Sequence, residues 1–95
     1  MAKTRTRHWD AADFLTSDKD IIADLEAALE EGDAALFTAA LGDVARAKGM
    51  TEIARKSGLG RESLYKALSP DGHPEFATVF KVVRSLGRNL LVVAR

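Results

Sequence analysis

Residues 50–69 read MTEIARKSGLGRESLYKALS, and small and apolar residues recur in this stretch at a spacing typical of two packed helices. Ala54 is small enough to let two helices cross closely, and Gly58 follows four residues later, where a left-handed backbone costs glycine least. Leu59 is expected to close the corner against the core, and Leu64, five residues further on, to hold the second helix down. This spacing predicts a helix–turn–helix, that is, two short helices joined by a tight turn.

The two helices of this motif are expected near residues 51–57 and 61–68. Thr51 is expected to cap the first helix through its hydroxyl. Gly60 offers no side chain that can cap the second helix. That helix is therefore expected to begin less firmly, or at Arg61.

The outward side of the second helix carries side chains suited to reading base edges in the major groove of DNA. These readout residues are Arg61, Glu62, Ser63, Tyr65 and Lys66. Arg61 can pair with guanine and Glu62 can accept from cytosine, whereas Tyr65 and Lys66 are expected to reach phosphate or a thymine methyl. Three residues of the first helix are candidates for contacts with the DNA backbone: Thr51, Arg55 and Lys56. The alternative is a helical hairpin that binds no DNA.

Helical periodicity also flanks the motif on both sides. A first helix is expected to follow a Thr-Ser-Asp start signal and to stop at Gly32. A second is expected between Asp33 and Gly49, and a further helix over about residues 75–86. The sequence thus predicts one all-α domain over residues 1–95, a compact five- or six-helix, lambda-repressor-like domain with short connections. The aromatic residues expected in its core are Trp9, Phe14, Phe37, Phe76 and Phe80.

The two ends of the chain are expected to be non-helical. Residues 1–9 are predicted to form a flexible basic arm, which either follows a DNA minor groove or has no role. Residues 89–95 are short and β-branched and predict a strand. A lone strand needs a partner, and the simplest one is the same strand in a second copy, which implies a dimer. The predicted dimerisation residues are Leu90, Leu91, Val92 and Val93.

Composition excludes several classes of protein. The chain has no cysteine, so it holds no disulfide framework, thiolate metal site or cysteine nucleophile. His8 and His73 stand alone, without further ligands at metal-site spacing, and no Ser/His/Asp set can be argued. We therefore expect no metal and no cofactor. The longest apolar run is too short to cross a bilayer, which favours a cytoplasmic location.

Charge is divided unevenly along a chain whose formal net charge is zero. Residues 1–41 hold four basic and nine acidic residues, a net charge of −5. Residues 42–95 hold ten basic and five acidic residues, a net charge of +5. This division suggests two surfaces, a basic one for nucleic acid and an acidic one for another partner. The plainer interpretation is that the charges only solvate helix faces.

Four segments carry a resemblance that covers nearly the whole chain. They are LEAALEEGD at 25–33, ALGDVARAKGM at 40–50, GRESLYKALSPDG at 60–72 and PEFATVFKVVRSLG at 74–87. The chain resembles the addiction-module antidotes, the HigA-like antitoxins of type II toxin–antitoxin systems. The resemblance implies a dimeric antitoxin that neutralises a RelE/ParE-like toxin by direct binding and represses its own operon. The implied partners are operator DNA and the cognate toxin, and the resemblance implies no enzymatic activity. The short apolar runs predict no membrane partner.

The resemblance leaves the toxin-binding surface open, and the charge division supplies a hypothesis. Toxins that cut RNA carry basic surfaces, and the acidic first helix is a plausible match for one. The candidate toxin-binding residues are Asp24, Glu26 and Glu30. Two other functions stay open: a stand-alone phage-like transcriptional repressor without a toxin partner, and a protein-interaction module that uses the helix–turn–helix only as a scaffold.

Overall fold

The computed structural model describes residues 17–94 and contains five α-helices in that range. They are α1 (Asp18–Glu31), α2 (Ala34–Lys48), α3 (Met50–Ser57), α4 (Arg61–Ala67) and α5 (Phe76–Ser85). The predicted all-α architecture is confirmed for these residues. The predicted basic arm over residues 1–9, and the core positions proposed for Trp9 and Phe14, lie outside them. No helix within 17–94 combines the length and apolar character needed to cross a bilayer.

Local signals place the boundaries of α1 and α2 as the sequence predicts. The Ser17 hydroxyl caps α1 by accepting a hydrogen bond from the backbone N–H of Asp20 (3.2 Å). The Asp33 carboxylate caps α2 by accepting from the backbone N–H of Ala35 (2.9 Å). Gly32 ends α1 in the left-handed conformation. The two-residue connection folds α1 and α2 against each other as a helical hairpin.

The core lies where α2, α3, α4 and α5 meet. Its buried cluster consists of Leu41, Ala45, Met50, Ile53, Leu64, Leu68, Val82 and Val83. Each large aliphatic side chain contributes roughly 1.5–3 kcal/mol when it is fully buried. Burial of these side chains therefore fixes α3 and α4 against the other helices.

Close approach between α2 and the end of α4 depends on Gly42. This glycine is buried, and a methyl group on its Cα would lie 2.7 Å from the carbonyl oxygen of Leu68. A larger residue would push the end of α4 away from the core. The position of α4 is therefore set by steric fit as well as by apolar burial.

Two aromatic residues of α5 that the periodicity predicts in the core lie on the surface instead. Phe76 is 71% exposed and Phe80 is 44% exposed, with ring centroids 6.1 Å apart. They share one face of α5, whereas Val82 and Val83 are buried. The prediction is wrong for this pair because periodicity identifies an apolar face but not how much of it a neighbour covers. Phe37, in contrast, is partly buried against the core cluster.

The apolar side of α1 is also only partly covered. This helix packs chiefly against α2, which leaves Ile22 40% and Leu29 55% exposed although Ile21 and Ala28 are buried. Leu36, at the start of α2, is 43% exposed. Ile22 and Leu29 are seven residues apart and lie on the same side of α1, so this side of the helix exposes apolar side chains.

The predicted C-terminal strand over residues 89–95 is absent from the described part of the chain. Residues 88–94 have neither helical nor strand structure, and the predicted dimerisation residues Leu90, Leu91, Val92 and Val93 are exposed. A strand forms through ladder hydrogen bonds to a neighbouring strand, and residues 17–94 of one chain offer no such neighbour. Pairing of two such segments across a dimer therefore stays a prediction.

Candidate nucleic-acid interface

A tight turn over residues 58–60 joins α3 to α4. Gly58 adopts the left-handed conformation, with φ of 76°, and its N–H donates to the carbonyl oxygen of Ala54 (3.0 Å). The Ser57 hydroxyl donates to the same carbonyl oxygen (3.3 Å) and accepts from the N–H of Leu59 (3.4 Å). Leu59 is partly buried and packs against the core cluster. The predicted roles of Gly58 and Leu59 are thus confirmed.

The beginning of α3 differs from the prediction. The helix starts at Met50 with Gly49 as its N-cap, and no side chain caps it. Gly49 serves two helices, since its N–H donates to the carbonyl oxygen of Ala45 (2.9 Å) and its own carbonyl oxygen accepts from the N–H of Ile53 (3.1 Å). Thr51 therefore lies within the first turn, and the capping role predicted for it is wrong. It is exposed and available for other contacts.

The short helix α4 turns its polar side chains outward because two leucines hold its other side in the core. Leu64 is 1% exposed, and Leu68, which follows the helix, is 4% exposed. Five predicted readout residues are all exposed, namely Arg61, Glu62, Ser63, Tyr65 and Lys66. Gly60 is the N-cap and supplies no side-chain hydrogen bond, as predicted.

Arg61 and Tyr65 interact with each other across one turn of α4. The guanidinium carbon of Arg61 lies 5.4 Å from the centroid of the Tyr65 ring, within the range of a cation–π contact. Among residues 17–94, no carboxylate forms an ion pair with Arg61. Its N–H donors are therefore free to meet an acceptor on a ligand.

The structure separates the three backbone-contact candidates of α3. Thr51 and Arg55 lie four residues apart on one side of the helix, whereas Lys56 lies on the side of Glu52, which faces α5. Glu52 pairs with Arg55 (2.6 Å) and with Lys56 (3.5 Å). The hydrogen bond from Arg55 is the main cause of the lowered pKa of Glu52. Lys56 thus belongs to another surface than Thr51 and Arg55.

That surface is a basic groove of about 730 Å³ between α3 and α5. Four cationic side chains from three helices line it: Lys48, Lys56, Lys81 and Arg84. Lys48 also lies 3.4 Å from Asp18 at the start of α1. Sequence reasoning missed Lys81 and Arg84, although their three-residue spacing on α5 was a signal that they share a face. The basic half of the chain therefore exposes two surfaces, the readout residues and this groove.

The three acidic residues predicted to meet a toxin do not lie together. Glu26 and Glu30 are exposed and share one side of α1 with Ile22, since the spacing is four residues each time. Asp24 is partly buried, and its burial, followed by the nearby charge of Asp43, raises its pKa. Its Oδ2 atom has no hydrogen-bond partner among the described residues. The acidic face of α1, defined as Ile22, Glu26 and Glu30, therefore excludes Asp24.

These features define a small helical protein with an exposed polar helix and a separate acidic face. A family model described as "Probable addiction module antidote protein" matches residues 5–94. The chain therefore belongs to this family of addiction-module antidotes, which confirms that part of the resemblance. An antidote implies a toxin that it counteracts.

A relative at high identity is known from Haemophilus influenzae. This protein, named "Uncharacterized protein", is 49% identical over 80 residues, which cover 84% of the chain and 82% of the relative. No solved structure shows significant similarity to the chain. The class of toxin and the binding of DNA stay predictions after these comparisons.

Proposed function

We propose that the chain is the antitoxin of a type II toxin–antitoxin module, which neutralises a RelE/ParE-like toxin by direct binding and represses its own operon by binding operator DNA. In this proposal it acts in the cytoplasm as a HigA-like homodimer, with α3–α4 as a DNA-binding helix–turn–helix, and it catalyses no reaction. Membership of the antidote family supports the toxin-binding part. The geometry of α4 supports the DNA-binding part.

One observation carries the DNA-binding part. α4 buries Leu64 while its first three residues, Arg61, Glu62 and Ser63, are exposed. A helix fits the major groove, where Arg61 offers paired donors to guanine and Glu62 an acceptor to cytosine. The first residues of the second helix are the ones that reach base edges in this motif.

Contacts with phosphate complete the proposed interface. Lys66 on α4 and Arg55 on α3 supply charge, and Thr51 supplies a hydroxyl. The ion pair between Arg55 and Glu52 is exposed, so Arg55 can exchange its carboxylate partner for a phosphate at little cost. Such contacts orient the protein on the duplex and make its binding depend on salt.

A homodimer suits this mode of binding. Two copies of α4 related by a two-fold axis read two half-sites about one helical turn of DNA apart. The proposed dimer contacts are Leu90, Leu91, Val92 and Val93, which the single chain leaves exposed. Pairing of the two C-terminal segments as strands would satisfy their backbone groups.

The acidic face of α1 is the proposed contact surface for the toxin. Glu26 and Glu30 are exposed, and Ile22, which is 40% exposed, adds apolar surface at one end of the same row. Protein–protein interfaces commonly combine apolar and charged side chains in this way. Its negative charge complements the basic surface expected of a toxin that binds RNA.

A gel-shift assay with the promoter region of the chain's own operon tests the DNA-binding part. Wild type is expected to shift the promoter fragment in preference to a scrambled fragment of equal length. Arg61→Ala should weaken promoter binding roughly 5- to 100-fold and reduce this preference, because it removes a base contact. Lys66→Ala should weaken binding to both fragments alike, because it removes a phosphate contact.

Lys19→Ala is the matched control, since Lys19 is exposed on α1 and its loss changes the net charge by the same amount. The Lys19→Ala variant should bind the promoter fragment and the scrambled fragment with affinities within twofold of wild type, because salt screens a distant charge. Absence of a shift at low salt, or equal loss in the Lys19 and Arg61 variants, would defeat the DNA-binding proposal.

A further inference from the structure

An apolar groove of about 480 Å³ lies between the α1–α2 turn and the start of α5. Its walls include Leu29, Phe37, Pro74, Phe76, Val79 and Leu90. Among the described residues that line it, Asp33 alone carries a charge. The groove therefore matches neither a polyanion such as DNA nor a strongly basic protein surface.

The C-terminal tail begins in this groove and then leaves it. Leu90 lines the groove and is 36% exposed, whereas Leu91, Val92 and Val93 are 82%, 98% and 67% exposed. Residues 89–94 carry no charged side chain. Within residues 17–94, the backbone of residues 90–94 forms no hydrogen bond. The tail thus consists of apolar side chains and backbone groups that lack a protein partner.

We propose that the tail of each copy, residues 91–93, enters the apolar groove of a second copy, so that two chains exchange tails around a two-fold axis. The proposal rests on the homodimer described above and adds the surface that receives the tail. The tail of a second copy fits this groove because the groove and the tail are both apolar and nearly uncharged. The proposed DNA and toxin partners match the charged surfaces elsewhere on the chain.

Two-fold symmetry supports the same arrangement. An interface between two identical chains must be self-complementary, which requires each chain to present both members of every contact. This chain presents a groove and a protruding apolar segment side by side, joined at Leu90. Each tail contact is made twice in the dimer, and each also covers the exposed ring of Phe76.

Cysteine cross-linking tests the exchange directly, because the natural chain has no cysteine. Leu29→Cys places a thiol in the groove and Val92→Cys places one on the tail. The two single variants, mixed in equal amounts and oxidised, should form a disulfide-linked heterodimer. Ala23→Cys is the matched control, since Ala23 is exposed on α1 six residues before Leu29 and does not line the groove. It should not cross-link to Val92→Cys.

Other occupants give different products, and each overturns the proposal. If the tail folds into the groove of its own chain, the L29C/V92C double variant should form an intramolecular disulfide. The mixture of the two single variants should then give no heterodimer. If the two tails pair only with each other, a V92C chain should form a disulfide with a second V92C chain and none with an L29C chain. If residues 1–16 of the chain fill the groove, L29C should form no disulfide with V92C in either the mixture or the double variant.

Sedimentation of Val92→Asp gives a second, independent readout. Val92 is 98% exposed in the single chain, so the substitution should not unfold it. The charge should weaken dimerisation about tenfold or more, because it would be buried in the groove; an unchanged dimer constant would refute the exchange. Arg61→Ala should weaken promoter binding, as stated above, but keep the cross-link. A missing cross-link with intact promoter binding would therefore remove this proposal and leave the proposed function standing.

Discussion

Arg61 is held against the Tyr65 ring in the free protein, at 5.4 Å from guanidinium carbon to ring centroid. A stacked arginine loses less conformational freedom when it binds than a freely rotating one does. Tyr65 is 44% exposed and lies on the same accessible side of α4. Its ring therefore has a positioning role beside any phosphate contact of its hydroxyl.

Two substitutions of Tyr65 should distinguish the role of its ring from the role of its hydroxyl. Tyr65→Ala is expected to weaken promoter binding about two- to fivefold, the equivalent of one exposed cation–π contact. Tyr65→Phe keeps the ring and should retain more of the affinity than Tyr65→Ala. Fluorescence anisotropy with a labelled promoter duplex measures both. Equal affinities for the two variants would show that the ring does not position Arg61.

Asp24 is a second residue whose environment differs from its neighbours on α1. Burial, and then the charge of Asp43, raise its pKa. A carboxyl whose pKa is raised in the folded state contributes stability below its unfolded pKa and loses that contribution as pH rises through the folded value. At neutral pH, Asp24 is therefore expected to destabilise the fold.

Asp24→Asn should stabilise the protein at pH 7 and raise its Tm, because it removes a partly buried charge. The gain should shrink to zero as pH falls below the usual range of an aspartate pKa, because wild-type Asp24 is then neutral as well. Thermal unfolding of both proteins, from pH 7 down to below the usual pKa of an aspartate, measures this difference in Tm. Glu31→Gln, at an exposed site on the same helix, should change Tm little. A Tm gain for Asp24→Asn that does not depend on pH would contradict this account.

At the level of the elements, the turn between α3 and α4 contains two glycines with different roles. Gly58 has φ of 76°, which an alanine adopts only with strain. Gly60 has φ of −68° and ψ of 141°, which suit an ordinary N-cap, and a Cβ there would lie 3.6 Å from the nearest atom, the Ser63 hydroxyl oxygen. The first glycine is thus required by the backbone, and the second is not.

Gly58→Ala and Gly60→Ser should therefore change the free energy of unfolding in opposite directions. Gly58→Ala is expected to lower it by about 1–2 kcal/mol. Gly60→Ser should gain about 0.5–1 kcal/mol, because it adds a capping hydroxyl and restricts the unfolded chain. Urea denaturation of both variants measures these changes. Destabilisation by Gly60→Ser would show that the open N-cap of α4 is needed by the fold.

Local signals predicted helix boundaries better than they predicted burial. Ser17 and Asp33 cap their helices through hydrogen bonds to residues two or three positions away, so the sequence alone contains both partners. The exposure of Phe76 depends instead on which distant segment packs against α5, and no local pattern contains that information. Thr51 was predicted to cap α3 but lies two residues after the observed N-cap, because Gly49 ends one helix and starts the next.

The candidate site was predictable to a similar extent. The exposure of the α4 readout residues followed from the buried Leu64 alone. The basic groove did not, because Lys56 and Lys81 are brought together only by the packing of α3 on α5. The division between Asp24 and Glu26 depends on where α2 lies. Residues that belong to one element could thus be grouped from sequence, and residues of different elements could not.

At the scale of the whole molecule, the proposed function assigns DNA and toxin to two separate surfaces, which substitutions should disable one at a time. The double variant Glu26→Lys/Glu30→Lys should weaken binding to the product of the adjacent toxin gene at least tenfold, because it opposes a basic partner. Isothermal titration calorimetry measures this affinity. Asp20→Lys/Glu31→Lys is the matched control, with the same charge change at two exposed positions on another side of α1. Equal losses in the two double variants would show that net charge, and not the acidic face, governs binding.

The measurement that tests the two-surface claim most directly is a crossed titration of two variants against both partners. Arg61→Ala/Lys66→Ala and Glu26→Lys/Glu30→Lys are each titrated with labelled promoter duplex and with toxin, beside wild type. We expect the α4 variant to lose affinity for the duplex and to keep wild-type affinity for the toxin, and the α1 variant to lose affinity for the toxin and keep it for the duplex. The two-surface proposal is wrong if either folded variant loses both affinities, or if neither variant loses any.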